Sequence, residues 1–366
     1  MRMTRGSCGS LRETNDKGRG ADSADTPYFR FNRKEFASRY AHFSQFGRVY
    51  YPAKANDHPD VLREVHHLGG AFDVDTTETM SALLAMGVPP ADIQFGLPVK
   101  PWSEVIKAFA LGITSFVVDT RQEFELLLSL APSQLVVRVS LRDLVDVHDT
   151  RYLKWGMLLQ DVQELVSTVA VDSNIAIGVS FFLPKALYSS RNFDRVLTHI
   201  STAFQNSPVQ ILDIGGGLDD SYDPAFGAKL SRATQSLGVS RVIVEPGRNL
   251  LDPCIDLVTS VLAIRERPDQ TWAFLDAGIF RGLLDAALIG RRFDITLASQ
   301  SGKNPTIRSY QLVGPSADSH DSLGEYRFEQ ELRPGDQLVV RECGAYTWSL
   351  RTAFSGFSPP GWHCEP

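Results

Sequence analysis

Eight short apolar runs, each followed by a stretch of helical periodicity or a turn toward one, constrain this chain more than any other feature. The runs are Arg48 to Lys54, Ala71 to Val74, Ile93 to Phe95, Ser115 to Asp119, Leu135 to Val139, Ile175 to Phe182, Val209 to Ile214 and Arg241 to Glu245. Helical patterns lie between them, at Asp60 to Leu68, Thr77 to Met86, Trp102 to Leu111, Gln122 to Leu130, Val162 to Val171 and Phe193 to Phe204. Eight strands alternating with helices over about 200 residues predict a (β/α)8 barrel, a fold whose active site sits at the C-terminal ends of the strands. A doubly wound open sheet would give the same alternation. Lys54, Asp73, Asp119, Arg138, Gly215 to Gly217 and Glu245 all fall at or just past a strand end, where the catalytic groups of a barrel belong.

Beyond Arg248 the pattern changes. Runs at Ile255 to Ala263, Trp272 to Leu275, Thr306 to Leu312 and Gln337 to Arg341 are separated by Gly, Pro, Asp and Ser clusters with little helical periodicity, which predicts a second, all-β domain. The division expected is a disordered tail over 1–27, a segment 28–44 joining the β-domain, a cofactor-binding barrel over 45–252 and the β-domain over 253–366. A chain of 366 residues, 43% hydrophobic and 22% charged, can bury a full core in such a pair of domains.

The longest apolar stretch, near Ala108 to Val118, is interrupted by Gly112, Thr114 and Ser115 and is too short to cross a bilayer. The first residues carry Arg2, Arg5, Arg12, Lys17 and Arg19 without an apolar core, unlike a secretory signal. Cys8, Cys254, Cys343 and Cys364 are scattered, which argues for a reducing, cytoplasmic setting and against a disulfide framework. His66 and His67 have no metal-ligand pattern, the acidic run Asp219-Asp220 with Asp223 reads as a solvated loop, and a net charge of −6 disfavours nucleic acid as a partner.

Three segments carry chemistry. Tyr50-Tyr51-Pro52-Ala53-Lys54-Ala55-Asn56 places a lysine at a strand end, where it can form a Schiff base. Ile211-Leu212-Asp213-Ile214-Gly215-Gly216-Gly217 and Val244-Glu245-Pro246-Gly247-Arg248 supply a glycine-rich turn and an arginine that can hold a phosphate. Together they describe a site for pyridoxal phosphate, in which a carboxylate such as Glu245 beside the ring nitrogen strengthens the electron sink. Taken singly each has a plainer reading: a flexible turn for the glycines, a tight turn at a domain boundary for Glu-Pro-Gly-Arg, a solvated terminus for the lysine. Lys100 and Lys185 are the competing lysines.

From about Tyr28 to the C-terminus these motifs, in this order, resemble the fold-type III pyridoxal phosphate enzymes of the ornithine, lysine and diaminopimelate decarboxylase group, whose architecture is that of alanine racemase and ornithine decarboxylase. The resemblance implies a homodimer with active sites at the subunit interface. It implies Lys54 as internal aldimine, Asp73 and Arg138 near the cofactor, Gly215, Gly216, Gly217, Gly247 and Arg248 as phosphate cradle, and Glu245 at the pyridine nitrogen. Glu342-Cys343-Gly344-Ala345-Tyr346-Thr347 is similar to the family's Gly-Ala-Tyr-Thr segment, which implies that Tyr346 reaches the phosphate. Phe354-Ser355-Gly356-Phe357 is similar to Phe-Asn-Gly-Phe, which implies that Phe354 lines the substrate pocket, although a core aromatic would read the same way.

Departures from the family bear on the reaction. Gly314-Pro315-Ser316-Ala317-Asp318-Ser319 aligns with Gly-Pro-Thr-Cys-Asp-Ser, so Asp318 keeps a substrate-binding position while Ala317 replaces the cysteine that handles the returning proton. Cys343 is a candidate substitute. In Ser180-Phe181-Phe182-Leu183-Pro184-Lys185, Phe182 replaces a histidine that stacks on the cofactor and Lys185 replaces a phosphate-binding serine. Ile289 stands where an ornithine enzyme carries an acidic residue for the distal amine. Arg291 and Arg292 follow, and an arginine there, Arg292 in particular, would favour a distal carboxylate or a carrier-bound acyl group unless both face solvent. The expectation is an amino-acid decarboxylase with no metal, no nucleic-acid partner and no membrane segment. Two alternatives stay open: a racemase or transaminating enzyme on the same cofactor, and a catalytically altered regulatory homologue that pairs with an active decarboxylase.

Overall fold

A computed structural model describes residues 25–169, 174–205, 207–217, 224–299 and 307–365. The expected tail up to residue 24, with Cys8, and the acidic run at 219–223 lie outside the described residues. The described residues open with β1 (Tyr28–Asn32) and α1 (Arg33–Ser44), neither of which was read from the sequence. Barrel strands and helices then alternate: β2 (Arg48–Pro52), α2 (Pro59–His67), β3 (Ala71–Val74), α3 (Thr77–Ala85), β4 (Ile93–Phe95), α4 (Trp102–Ala110), β5 (Ser115–Val118), α5 (Arg121–Leu128), β6 (Gln134–Arg138), α6 (Leu159–Ser167), β7 (Ala176–Ser180), α7 (Ser190–Ala203), β8 (Val209–Asp213), α8 (Pro224–Leu237) and β9 (Arg241–Val244). Each strand pairs in parallel with the next, and β9 returns to β2 through Arg48 opposite Ile243 and Val49 opposite Val244. That closure excludes the open doubly wound sheet.

Local chemistry starts the helices where the apolar pattern needs them. Asn32, Thr76, Thr120 and Ser189 each accept a backbone N–H of the first turn of α1, α3, α5 and α7, satisfying donors that have no partner within a helix. Strand residues that point outward, such as Phe72, Phe95 and Phe116, are fully buried beneath the helices, and burying each contributes about 1.5–3 kcal/mol.

Alternate strand positions point inward and stack in layers. At the bottom, Gln134 donates to Gln94 (2.8 Å) and Ser115 (2.9 Å) and accepts from Arg241 (3.0 Å), a polar plug. Above it Tyr50, Ala71, Ile211 and Ile243 form a separate apolar cluster. The same alternation, two residues further along each strand, delivers Asp73, Arg138, Ser180, Asp213 and Glu245 to the C-terminal mouth.

After α9 (Arg248–Leu251) the chain forms β10 (Ile255–Glu266), β11 (Thr271–Leu275), α10 (Leu284–Ile289), β12 (Ile295–Leu297), β13 (Arg308–Val313), β14 (Ser322–Phe328), β15 (Gln337–Val340) and β16 (Gly361–Glu365). One path through this sheet runs β12-β15-β10-β11-β13-β14, while β1 pairs antiparallel with β10 and parallel with β16. The second half is thus mostly β rather than wholly so. The exception is α10, six residues too short to show a helical period, and it contributes to the cavity described next.

Candidate active site

A cavity of about 650 Å³ opens at the C-terminal mouth of the barrel. Its walls include Lys54, Asp73, Asp75, Arg138, Phe182, Lys185, Gly215 to Gly217, Glu245, Gly247, Arg248 and Tyr346, drawn from strand ends and one distant segment. Lys54 sits in a short turn after β2. Its Nζ lies 3.3 Å from Asp75 Oδ1 and 3.6 Å from Asp73 Oδ2. Burial alone would lower the lysine's pKa, but the carboxylates of Asp73, Asp75 and Glu245 overcome that penalty and hold the ammonium above its ordinary range.

Three carboxyls, Asp73, Asp213 and Glu245, crowd the floor. Burial raises Asp73, which Lys54 partly offsets, and Asp73 Oδ1 is buried without a hydrogen bond. Burial pushes Asp213 up to about 7 although it accepts the Gly215 N–H at 2.8 Å. Desolvation, then the charges of Asp213 and Asp73, push Glu245 well above the carboxylate range. Gly96 makes this floor possible: a Cβ there would stand 1.6 Å from Asp73 Oδ1.

The glycine triplet is a packed turn. A Cβ on Gly216 would meet the Glu245 carbonyl oxygen at 2.4 Å, and one on Gly217, whose φ is +80°, the Leu183 carbonyl oxygen at 2.6 Å. Only glycine permits the β8 and β9 ends to approach so closely. Nearby, the Arg138 guanidinium lies 5.8 Å from the centre of the Phe182 ring, which is 38% exposed toward the cavity. Lys185 is exposed at the rim, and no ion pair involves it or Arg138 among the described residues.

Tyr346 comes from the far end of the chain. Its segment docks on the barrel mouth through hydrogen bonds from Tyr346 N to the Ala55 carbonyl (2.8 Å), from Asn56 Nδ2 to the Gly344 carbonyl (2.9 Å) and from Ala345 N to Asp252 (2.8 Å). Asn56 of the Ala-Lys-Ala-Asn motif is therefore the bracket that holds Gly-Ala-Tyr-Thr beside Lys54. The Tyr346 ring packs 4.6 Å from the Arg248 guanidinium, and burial raises its phenol.

The other expected residues are placed as follows. Arg248 does not stand free for a phosphate: it makes a two-pronged pair with buried Asp285 (2.5 and 3.0 Å). Arg291 joins that network through Asp252 (2.9 Å) and Asp285 (3.6 Å). Arg292 lies outside the cavity, its guanidinium 4.2 Å from the Tyr326 ring centre and bonded to the Glu325 carbonyl. Cys343 is fully buried and bonds the Val340 carbonyl, so it does not face the cavity. Asp318 caps His320 (2.8 Å to its N–H) and Phe354 packs on Phe280 (4.5 Å between rings), both away from this chain's cavity. Asp119 takes the Gly156 N–H and braces the connection after β6. Lys100 is fully buried against Glu123 (3.0 Å) and is no rival for Lys54. Ile289 does line the cavity, at its rim and 62% exposed.

Sequence reading missed Asp75, Asp213 and Asp285. The first two repeat the inward alternation, Asp73 to Asp75 and Ile211 to Asp213, and could have been found by it. Tyr152 and Trp155, between β6 and α6, also line the cavity and had no signal. Among the described residues no helix is long and apolar enough to cross a membrane, no cluster of three or more His, Cys, Asp or Glu could hold a metal, and Cys254, Cys343 and Cys364 are free.

Comparison with known proteins gives this cavity a context. Residues 33–252 match the model of the pyridoxal binding domain of pyridoxal-dependent decarboxylases. A lysine/ornithine decarboxylase of Selenomonas ruminantium is 26% identical over 328 residues, covering 84% of this chain and 81% of that protein. A diaminopimelate decarboxylase of Pseudomonas aeruginosa is also 26% identical, covering 92% and 86%. The crystal structure of a lysine/ornithine decarboxylase from Vibrio vulnificus complexed with cadaverine superposes with a TM-score of 0.81 at 26% identity, over 93% of this chain and 94% of that one. The chain therefore belongs to the pyridoxal-dependent decarboxylases, carboxy-lyases of amino acids that use pyridoxal phosphate.

Proposed function

We propose that this chain decarboxylates an amino acid whose distal end carries no ammonium group, with Lys54 as the residue joined to the cofactor. The observation that carries the reading is Lys54 itself, an ammonium beside Asp73 and Asp75 in a cavity large enough for cofactor and substrate together. The residues present fit pyridoxal phosphate. Asp73 Oδ1 is buried and unpaired, the Gly215 to Gly217 turn lines the cavity, and Glu245 is a carboxyl in the same wall that could face a ring nitrogen. When bound, the cofactor supplies the conjugated ring that accepts the electron pair left by carbon dioxide.

The chain's own groups do the rest. Glu245, ionising beside a protonated ring nitrogen, holds that proton in place, and Asp213 fixes the Gly215 N–H at the phosphate turn. Gly215, Gly216, Gly217 and Tyr346 would hold the phosphate, with Gly247 and Arg248 behind them and Lys185 adding charge from the rim. Phe182, with Arg138 beside it, would offer an aromatic face to the ring. Ile289 stands at the rim in place of one carboxylate, which weakens the hold on a distal ammonium and favours a neutral, acidic or carrier-bound distal group. Asp318 and Phe354, away from this chain's cavity, serve a neighbouring subunit's site in a homodimer.

Incubating the cofactor-loaded protein with L- and D-amino acids, including ornithine, lysine, diaminopimelate and glutamate, while recording absorbance and carbon dioxide tests this reading. Carbon dioxide release from an amino acid without a distal ammonium supports it. Faster release from ornithine or lysine overturns the substrate class, and spectral change without release overturns decarboxylation in favour of racemisation or transamination.

A further inference from the structure

We propose that Asp75 is a further catalytic residue, the counter-ion of the Lys54 nitrogen, and that it makes Lys54 the carrier of the proton returned to the substrate after carbon dioxide leaves. This rests on the reading of Lys54 above. The starting point is a shortage. Ala317 has no proton to give, it is exposed on the loop between β13 and β14, and Cys343 is buried away from the cavity. A decarboxylase nevertheless needs a proton at the carbon that loses its carboxylate.

The cavity offers few sources. Asp73 and Asp213 are buried on the floor, Glu245 belongs to the ring nitrogen, and Tyr346 is assigned above to the phosphate. Asp75 differs from all of them. It is the next inward position after Asp73, its side chain is 28% exposed, and it is the nearer of the two carboxylates to Lys54 Nζ, 3.3 Å against 3.6 Å. The charged groups facing the pair are Asp73, Glu245 and Tyr346.

The step balances. When a substrate ammonium replaces Lys54 on the cofactor, its protons pass to the departing lysine, which leaves as an ammonium held by Asp75. Breaking the bond from Cα to the carboxylate releases carbon dioxide and leaves the electron pair behind. A proton from Lys54 then forms the new Cα–H bond, and Lys54, now a neutral amine, displaces the product amine. The released amine takes one proton from water. Asp75 gives neither proton nor electrons in these steps. Its charge keeps the lysine loaded.

The test begins without any amino acid. In the cofactor-loaded protein the Lys54 nitrogen is protonated next to Asp75, and its titration is read from the absorbance spectrum against pH. Asp75→Asn should lower that titration midpoint by about 1–3 pH units, the effect of removing an opposite charge at this range. Asp75→Glu should restore most of it. Coincident titration curves for the original protein and Asp75→Asn overturn the pairing. With the amino acid that releases carbon dioxide, Asp75→Asn should also raise the share of aldehyde relative to amine among the products, because the proton then arrives at the wrong atom. A shifted titration with an unchanged product ratio overturns the proton-return role. Failure of the underlying reading looks different: the original protein would show no lysine-linked absorbance to titrate.

Discussion

The barrel mouth and the β-rich half contribute to the cavity on different terms. At the mouth, site residues arrive by alternation along strands whose register is fixed by continuous pairing, so Asp73, Arg138, Asp213 and Glu245 converge without special contacts. Among the described residues of the β-rich half only Tyr346 and Ile289 reach the cavity; Tyr346 bonds the Ala55 carbonyl and its neighbour Gly344 accepts from Asn56, while Asp285 fixes Arg248. Asp318, Phe354 and Arg292, which share motif character with Tyr346, lie elsewhere in the chain. Position in a regular strand is a geometric guarantee. A motif in a loop needs a partner surface.

The largest expected effect breaks the barrel side of that comparison. Lys100 is fully buried, bonded to Glu123 and to the Val117 carbonyl, and burial lowers its pKa. Glu123→Gln leaves this charge uncompensated and should cost about 3–5 kcal/mol in urea unfolding. A loss under about 1 kcal/mol would mean that the lysine sheds its proton readily and that the mouth tolerates it.

The docking between the halves comes next. A Cβ on Gly344 would stand 1.9 Å from the Leu251 carbonyl oxygen, an atom that cannot move alone. Gly344→Ala should therefore cost about 1–3 kcal/mol and weaken cofactor retention together, since Tyr346 is displaced. Lower stability with unchanged retention would show that Tyr346 does not hold the phosphate.

A pH dependence sharpens the view of the floor. Asp213 is raised to about 7 in the folded protein, against roughly 3.9 in an unfolded chain. Between those values the folded state binds more protons, so the contribution of Asp213 to the stability of the cofactor-free protein should be lost as pH rises from about 4 to about 7, with the raised Glu245 adding to the fall. Asp213 and Glu245 titrate as a pair, and Asp213→Asn should flatten this slope rather than merely shift it. Urea unfolding at a series of pH values checks the sign.

The smallest effect belongs to the β-rich half. Arg292→Ala removes an exposed contact with Tyr326 and should change stability by no more than about 0.5–1 kcal/mol, leaving cofactor absorbance untouched. A marked fall in cofactor or substrate binding would return Arg292 to the site, through a neighbouring subunit.

The same contrast explains what could be read in advance. All eight barrel strands were legible because apolar runs with helical stretches between them admit few arrangements, and Lys54 and Glu245 stood out as polar ends of such runs. Asp75 and Asp213 were equally legible by the inward alternation, but Asp213 was read only as part of the glycine segment and Asp75 was not singled out. The pairing of Arg248 with Asp285 spans 37 residues and depends on α10, whose six residues carry no period, so no local pattern could announce it. Tyr346 was legible as a motif, but its seat against Ala55, reached with a positive φ of 56°, is a product of tertiary docking.

The most direct measurement of the central claim is to reduce the cofactor-loaded protein with borohydride and map the modified peptide by mass spectrometry. The account requires the cofactor to be found on Lys54, and on no lysine at all in Lys54→Ala. Label on Lys185 or Lys100, or undiminished label after Lys54→Ala, would contradict it.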